Sequence, residues 1–139
     1  MRHYLGSVTQ MQPEARFKKR VDAAFDSLWK GEGKRTAIEK GRGQISGLPD
    51  RLYMLPFGHI FLESKVGKNK PSGLQKEVAK TMAMAGLRVA FATLYPDTEV
   101  VALQKVDPAT GEIAHPFFTS MKAFRSSHVW EVLAKGNHI

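Results

Sequence analysis

The chain contains no cysteine among its 139 residues, which excludes disulfides, thiolate metal sites and a cysteine nucleophile. It also lacks any apolar run near the roughly 20 residues that a membrane-spanning helix needs. No long apolar segment follows the positive charge at the N-terminus, so we expect no secretory signal. Together these absences predict a protein of a reducing compartment, the cytoplasm.

Acidic residues are few relative to basic ones: 13 Asp and Glu stand against 21 Lys and Arg, and the formal net charge is +8. A basic surface attracts polyanions, and nucleic acid is the commonest partner of this kind. Many proteins without such a partner are also basic, so charge alone does not decide. With 42% hydrophobic residues, the chain supports one core, and we predict a single domain over residues 1–139.

Hydrophobic periodicity and turn residues predict the first elements. A helix over about residues 12–30 has Pro13 in its first turn, and its apolar stripe consists of Phe17, Val21, Ala24, Phe25 and Leu28. A weak strand over residues 35–40 and a loop over residues 41–47 follow. Residues 50–55 and 59–66 form a predicted β-hairpin around the turn Pro56-Phe57-Gly58.

A second helix is predicted from its N-cap, Ser72, and from Gln75, which completes a capping box. It ends at Gly86, and its expected buried face consists of Leu74, Val78, Met82 and Ala85. Strands over residues 87–94 and 99–106 follow, then a turn over 107–111. The last prediction is a helix over residues 127–135, ended by Gly136, with Phe117, Phe118 and Phe124 packed near it.

This order of elements predicts an α/β fold in which a mixed central sheet is flanked by helices. The core of the domain is expected within about residues 12–106. Residues 107–139 form a C-terminal extension whose role the sequence does not indicate.

The hairpin turn sets a strand register. If Leu55 and Gly58 close the turn, Leu52 faces Phe61, Met54 faces His59, and Asp50 faces Glu63 on the same side of the sheet. Lys65 lies two residues beyond Glu63 and therefore points to the same face. A slip of one residue would separate these side chains. The register therefore predicts a patch with two carboxylates and one amine.

Two close carboxylates repel each other, and a divalent cation between them removes the repulsion. Carboxylate oxygens suit hard cations such as Mg²⁺ or Mn²⁺. Such an ion polarises a phosphoryl oxygen and activates a water, and a neighbouring lysine orients the water or stabilises charge on the phosphorus oxygens. Asp50, Glu63 and Lys65 are therefore the smallest set of groups that we expect to support phosphodiester cleavage.

The motif Gly47-Leu48-Pro49-Asp50, followed by Glu63-Ser64-Lys65 and then Gln75 on the next helix, resembles the PD-(D/E)xK nuclease superfamily. More narrowly it resembles the VRR-NUC group, which occurs in phages and in DNA-repair nucleases. The resemblance covers about residues 14–106. It implies a restriction-endonuclease-like fold and a metal-dependent endonuclease that hydrolyses DNA, in the host cytoplasm if the protein is phage-encoded.

The resemblance also implies roles for individual residues. Asp50 and Glu63 would bind Mg²⁺ or Mn²⁺ together with the Ser64 backbone carbonyl, and Lys65 would act on the attacking water. Gln75 would support the site, and Glu14 would supply the further acid that the superfamily often has on its first helix. Glu14 also lies on the core-facing side of its helix, where an acid needs a partner.

Simpler roles remain open for each of these residues. Asp50 could be a turn residue, and Glu63 with Lys65 could form a solvated ladder on an exposed sheet face. The capping box by itself explains Gln75, and the helix dipole by itself explains an acid at Glu14.

The substrate and partners follow from charge and from the family analogy. Four basic residues near the site are expected to contact phosphates without reading sequence: Arg42, Lys68, Lys70 and Lys76. The analogy favours branched DNA such as four-way junctions, cut by a homodimer. The alternatives are a non-catalytic nucleic-acid-binding protein on a nuclease-like fold, and a basic protein that binds a protein partner.

Overall fold

A six-stranded mixed sheet forms the centre of the computed structural model, which describes residues 12–39 and 45–135. The strands lie side by side in chain order. All neighbours are antiparallel except β3 and β4, which are parallel because a helix connects them. The strands are β1 Lys34–Ala37, β2 Arg51–Leu55, β3 Gly58–Val66, β4 Val89–Tyr95, β5 Val100–Lys105 and β6 Phe117–Ser120.

In residues 12–39 and 45–135, three α-helices flank the sheet: α1 Pro13–Trp29, α2 Gly73–Met84 and α3 Ser127–Ala134. A short 3₁₀ helix, Met121–Arg125, connects β6 to α3. The predicted α/β class with a mixed central sheet between helices is confirmed. Within the described residues, no helix is both long and apolar enough to cross a membrane.

The hairpin β2–β3 has the predicted register. Leu55 pairs with Gly58 at the turn, and Met54 pairs with His59. Leu52 pairs with Phe61, as expected. The two-residue turn fixes the alignment of the strands, so the residue spacing determines which side chains share a face.

The second helix begins and ends as its sequence predicts. The Ser72 hydroxyl accepts the Gln75 backbone N–H at 3.1 Å, and the Gln75 side-chain oxygen accepts the Ser72 backbone N–H at 2.9 Å. At the other end Gly86 has a φ of +99°, a left-handed conformation that costs glycine little. These local bonds fix the Gln75 side chain against the first turn of the helix.

The helices divide between the two faces of the sheet. On one face α1, α3 and the 3₁₀ helix cover the larger core, which contains Phe17, Phe25, Tyr53 and Trp130. On the other face α2 covers a smaller core built on Val89 and Phe91. Because β6, the 3₁₀ helix and α3 contribute to the sheet and the larger core, residues 117–134 are integral to the fold.

Three burial predictions are wrong. Leu74 is 52% exposed and Ala85 is also exposed. The helix α2 instead buries Ala79, Met82 and Ala83, so its contact stripe is rotated by about one residue from the predicted one. Phe118 is 62% exposed, because β6 is an edge strand and this side chain points away from the core.

Candidate active site

The candidate residues gather where β2 begins beside the middle of β3. Arg51 pairs with Leu62, and continuing this register by one residue places Asp50 opposite Glu63. Side chains alternate along strands, so Glu63 and Lys65 share the face that α2 covers, and the same alternation extended from β2 by one residue assigns Asp50 to it. The location lies toward the carboxyl ends of the parallel strands β3 and β4, where α/β folds commonly place ligands.

Glu63 is the most enclosed acid of this group, with 2% of its surface exposed. The Gln75 side-chain amide donates to its Oε2 at 2.9 Å, and the Lys65 ammonium lies 3.4 Å from the same oxygen. A buried carboxylate is costly unless cations or hydrogen-bond donors surround it. Glu63 and Lys65 therefore do not form a solvated ladder on an exposed face.

Gln75 combines the two roles that the sequence left open. Its side-chain oxygen closes the capping box of α2 through Ser72, and its side-chain nitrogen donates to Glu63. The cap therefore orients the same amide that holds the buried carboxylate. Folding of the first turn of α2 and positioning of Glu63 are coupled through one side chain.

Asp50 interacts with a residue that sequence reasoning did not single out. The Lys18 ammonium of α1 lies 3.4 Å from its Oδ2, and both side chains are half-buried. The Asp50 backbone carbonyl accepts the Ile38 N–H at 2.9 Å, which attaches the chain before β2 to the end of β1. The signal for Lys18 was its position one helical turn after Glu14, on the same side of α1.

Glu14 lies one turn earlier on α1, and its carboxylate accepts a hydrogen bond from the Asn69 side chain at 2.8 Å. This contact attaches the first turn of α1 to the loop after β3. Among residues 12–39 and 45–135, no three His, Asp or Glu side chains converge as a set of metal ligands. The described contact of Glu14 is therefore with Asn69, and it is the register of β2 and β3 that relates Asp50 to Glu63.

The donor set nevertheless fits a hard divalent cation. Mg²⁺ keeps several waters and commonly takes only one or two protein carboxylates. Asp50 and Glu63 supply such carboxylates, and the Ser64 carbonyl lies between Glu63 and Lys65 in the chain. The ammonium groups of Lys18 and Lys65 balance the two negative charges.

The predicted phosphate contacts lie partly within the described residues. Lys68, Lys70 and Lys76 are exposed, the first two in the loop after β3 and the third on the first turns of α2. Arg42 lies outside the described residues. The three described lysines can meet a polyanion without loss of buried contacts.

Helix α1 also buries an acid, Asp22, which is not among the residues of the predicted apolar stripe. It is 7% exposed. Its carboxylate accepts from Arg51 Nη2 at 3.1 Å and from the Tyr53 hydroxyl at 2.6 Å, and Arg35 lies 3.5 Å away. Burial and the neighbouring Asp22 raise the pKa of Tyr53 well above its usual range. The phenol therefore stays protonated and donates to the carboxylate.

His59, near the hairpin turn, has a packing role. Its Nε2 accepts the Arg88 backbone N–H at 3.0 Å, and its ring lies edge-on to Phe61. Burial and the nearby Arg88 guanidinium lower the pKa of His59. The neutral imidazole is thus a hydrogen-bond acceptor here and lies away from Glu63.

No family model matches the sequence, and no curated protein matches it. Among solved structures, the chain is similar to Hjc, a Holliday junction resolvase from the archaeal hyperthermophile Archaeoglobus fulgidus. The TM-score is 0.47 at 17% sequence identity, over 79% of this chain and 90% of that chain. A likeness of this size assigns neither a family nor an activity to this chain.

Proposed function

We propose that this protein is a metal-dependent endonuclease that hydrolyses DNA phosphodiester bonds. The observation that carries the proposal is the buried Glu63, held by the Gln75 amide and the Lys65 ammonium beside the strand position that the hairpin register gives to Asp50. A purely structural acid has no need of a second acid at the neighbouring strand position. Two carboxylates that can hold a divalent cation, with a lysine near them, supply groups that metal-dependent phosphodiester cleavage can use.

Asp50, Glu63 and the Ser64 carbonyl would hold Mg²⁺ or Mn²⁺. Bound there, the ion would polarise a phosphoryl oxygen and lower the pKa of a coordinated water. The Gln75 amide keeps one Glu63 oxygen oriented by donating to it. The ligand role of Glu14 stays a prediction, since its carboxylate accepts from Asn69.

In this proposal Lys65 is the residue that would act on the reacting atoms. Its ammonium lies 3.4 Å from Glu63, and most of its side chain is enclosed. From there it can donate to the attacking water or to a phosphorus oxygen as negative charge develops. A fixed cation in an enclosed site stabilises that charge more strongly than a cation in bulk water does.

The family and the substrate form the finer part of the proposal. The Gly47-to-Asp50 motif, the Glu63-Ser64-Lys65 triplet and the Gln75 helix support membership of the PD-(D/E)xK superfamily, in the VRR-NUC group. By that resemblance the substrate is branched DNA, and a homodimer would place one site on each of two strands. The exposed lysines Lys68, Lys70 and Lys76 would contact the phosphates.

Cleavage of a panel of labelled DNAs tests the proposal. Duplex, single-stranded, flap and four-way-junction substrates are incubated with Mg²⁺, Mn²⁺ or EDTA, and the Asp50→Asn variant is run beside the unchanged chain. The control variant is Glu77→Gln, which removes an exposed acid from α2. We expect metal-dependent cutting that Asp50→Asn abolishes and Glu77→Gln retains.

Two other outcomes would redirect the assignment. Tight, salt-sensitive binding without cutting under either metal supports the non-catalytic nucleic-acid-binding alternative. No affinity for DNA at low salt supports the protein that binds a protein partner. Cutting that survives in Asp50→Asn contradicts the assigned site.

A further inference from the structure

Three adjoining clefts follow the α1 side of the sheet. The first, of about 330 Å³, lies beside Glu14 and Asn69. The second, of about 410 Å³, lies between α1 and the ends of β3 and β4 and contains Arg16 and Arg20. The third, of about 300 Å³, lies between α1 and the 3₁₀ helix. The first two share Val66 and the last two share Arg20, so we treat all three as one basic groove.

Four exposed cations line the basic groove: Arg16, Arg20, Lys122 and Arg125. Within the described part of the chain, Arg16, Lys122 and Arg125 form no ion pair, whereas Arg20 pairs with Glu99. The groove therefore holds an excess of positive charge, and most of that charge is available to a partner.

Glu99 has an unusual position in the groove. Its φ is +58°, a left-handed conformation that residues other than glycine rarely adopt. Its carboxylate binds the Arg20 guanidinium through both oxygens. Its backbone carbonyl accepts the Met121 N–H at 2.8 Å, which joins the β4–β5 turn to the 3₁₀ helix. The acid is thus fixed against the central arginine of the groove.

The groove lies on the α1 face of the sheet, whereas Glu63 and Lys65 lie on the α2 face, and the two regions meet at the end of β3. Val66, which lines its first two clefts, directly follows Lys65 in β3. Lys18, which pairs with Asp50, lies on one flank of α1, whereas Arg16 and Arg20 lie toward the opposite flank. A duplex that reaches both regions would pass around the end of β3 and along the N-terminal half of α1 toward Lys122.

We propose that the basic groove binds the sugar–phosphate backbone of a DNA duplex away from the scissile bond, and that Glu99 limits the strength of this binding. The identity of the polyanion as DNA rests on the proposed function. Exposed arginines and lysines without carboxylate partners suit phosphates, and such contacts hold a duplex in register without reading its bases. A phosphate near Arg20 competes with Glu99 for the guanidinium.

The test measures affinity for a fluorescently labelled duplex in EDTA, so that no cleavage occurs, across a series of salt concentrations. The double variant Lys122→Gln/Arg125→Gln should bind about ten-fold or more weakly, and its salt slope should be smaller by about 2. The control Lys34→Gln/Lys80→Gln removes the same charge from the β1 edge and from α2. We expect that control to retain most of the affinity.

A second variant changes affinity in the opposite direction. Glu99→Gln releases Arg20 and removes a negative charge from the groove, so it should bind the duplex several-fold more tightly. Circular dichroism and thermal unfolding check that each variant is folded. Two results would contradict DNA binding by the groove: equal losses of affinity in the two double variants, or an affinity of Glu99→Gln at or below that of the unchanged chain.

The design separates this inference from the proposed function. Binding in EDTA does not depend on Asp50 or Glu63 acting in catalysis. If the groove variants change affinity but the protein cuts no substrate, the proposed DNA binding by the groove is supported and the proposed nuclease activity is contradicted. If the protein cuts DNA with metal but the groove variants bind DNA unchanged, the nuclease activity is supported and DNA binding by the groove is contradicted.

Discussion

Two buried carboxylates, Asp22 and Glu63, lie on the two sides of the same sheet and have different surroundings. Asp22, on α1, is bound by the Arg51 guanidinium and the Tyr53 phenol. Glu63, on β3, has a side-chain amide at 2.9 Å and an ammonium at 3.4 Å. Both acids are almost completely enclosed, so burial alone does not distinguish a structural acid from a functional one.

The donors make the distinction. A guanidinium is planar and permanently charged, and together with a phenol it holds a carboxylate in one arrangement. An ammonium is a single point charge on a flexible stem, and it can move when another cation arrives. The cluster of Asp22, Arg51 and Tyr53 therefore suits a fixed connection between α1 and the hairpin. The cluster of Glu63, Gln75 and Lys65 suits a site where the lysine ammonium can move aside for another cation.

The strongest test of this contrast is Glu63→Gln. The amide has the shape of the carboxylate but neither its charge nor its affinity for metal, so we expect cleavage to fall by about 10³-fold or more. The unfolding free energy should change less than in the corresponding change at Asp22. Rates on the preferred DNA and urea unfolding curves measure the two effects. Glu77→Gln on the same side of the sheet is the matched control, and equal rates in all three proteins would contradict the role of Glu63.

Asp22→Asn should show the opposite profile. Breaking a buried ion pair while the arginines remain in place costs about 3 kcal/mol of unfolding free energy. Cleavage per folded molecule should stay near that of the unchanged chain. Urea titration and rates corrected for the folded fraction provide the readout.

The control for Asp22 lies on the same helix. Asp26 binds Arg35 in a largely exposed pair, which lowers the pKa of Asp26. Exposed pairs contribute about 1 kcal/mol or less, so Asp26→Asn should destabilise much less than Asp22→Asn. Similar losses in the two variants would mean that the Asp22 cluster is not a fixed connection.

The sequence predicts the Glu63 cluster much better than the Asp22 cluster, because the two depend on interactions of different range. Glu63 lies on a short hairpin that directly follows Asp50, and one local turn sets the register from which their relation is inferred. The capping box of Gln75 is also local, since it spans three residues. Asp22 is buried by Arg51, which is 29 positions away, and helical periodicity contains no information about that contact.

The same difference of range explains the C-terminal part of the fold. The helix α3 has local signals and is predicted over nearly its observed bounds. Strand β6 has only four residues and is defined by its pairing with β5, so Phe118 cannot be placed from its own neighbourhood. The rotation of the buried stripe of α2 likewise depends on Val89 and Phe91, which lie on β4.

A smaller effect is expected at Gln75, where capping and site support can be separated. In Gln75→Glu the carboxylate still accepts the Ser72 backbone N–H, but it presents an acceptor to Glu63 in place of a donor. Cleavage should fall by about 10–100-fold, the range for groups that orient metal ligands. Ser72→Ala removes the cap hydroxyl, which should cost about 1 kcal/mol of stability while cleavage is retained. A rate loss in Ser72→Ala as large as that in Gln75→Glu would show that Gln75 acts only through the cap.

The smallest effect is expected for Lys18→Gln, which tests whether the ammonium beside Asp50 exchanges with metal. Lys18 lies 3.4 Å from the Asp50 carboxylate, so its charge opposes a divalent cation that approaches the same oxygens. Removing that charge should lower the concentration of Mn²⁺ needed for half-saturation by a few-fold, as measured by calorimetry without DNA. The pair is partly accessible, so stability should change by less than about 1 kcal/mol. Lys18→Arg keeps the charge and is the matched control. Weaker Mn²⁺ binding by Lys18→Gln than by Lys18→Arg would contradict this expectation. It would mean that Lys18 holds Asp50 in place as Arg51 holds Asp22, so that the contrast between a fixed and an exchangeable partner would not extend to Asp50.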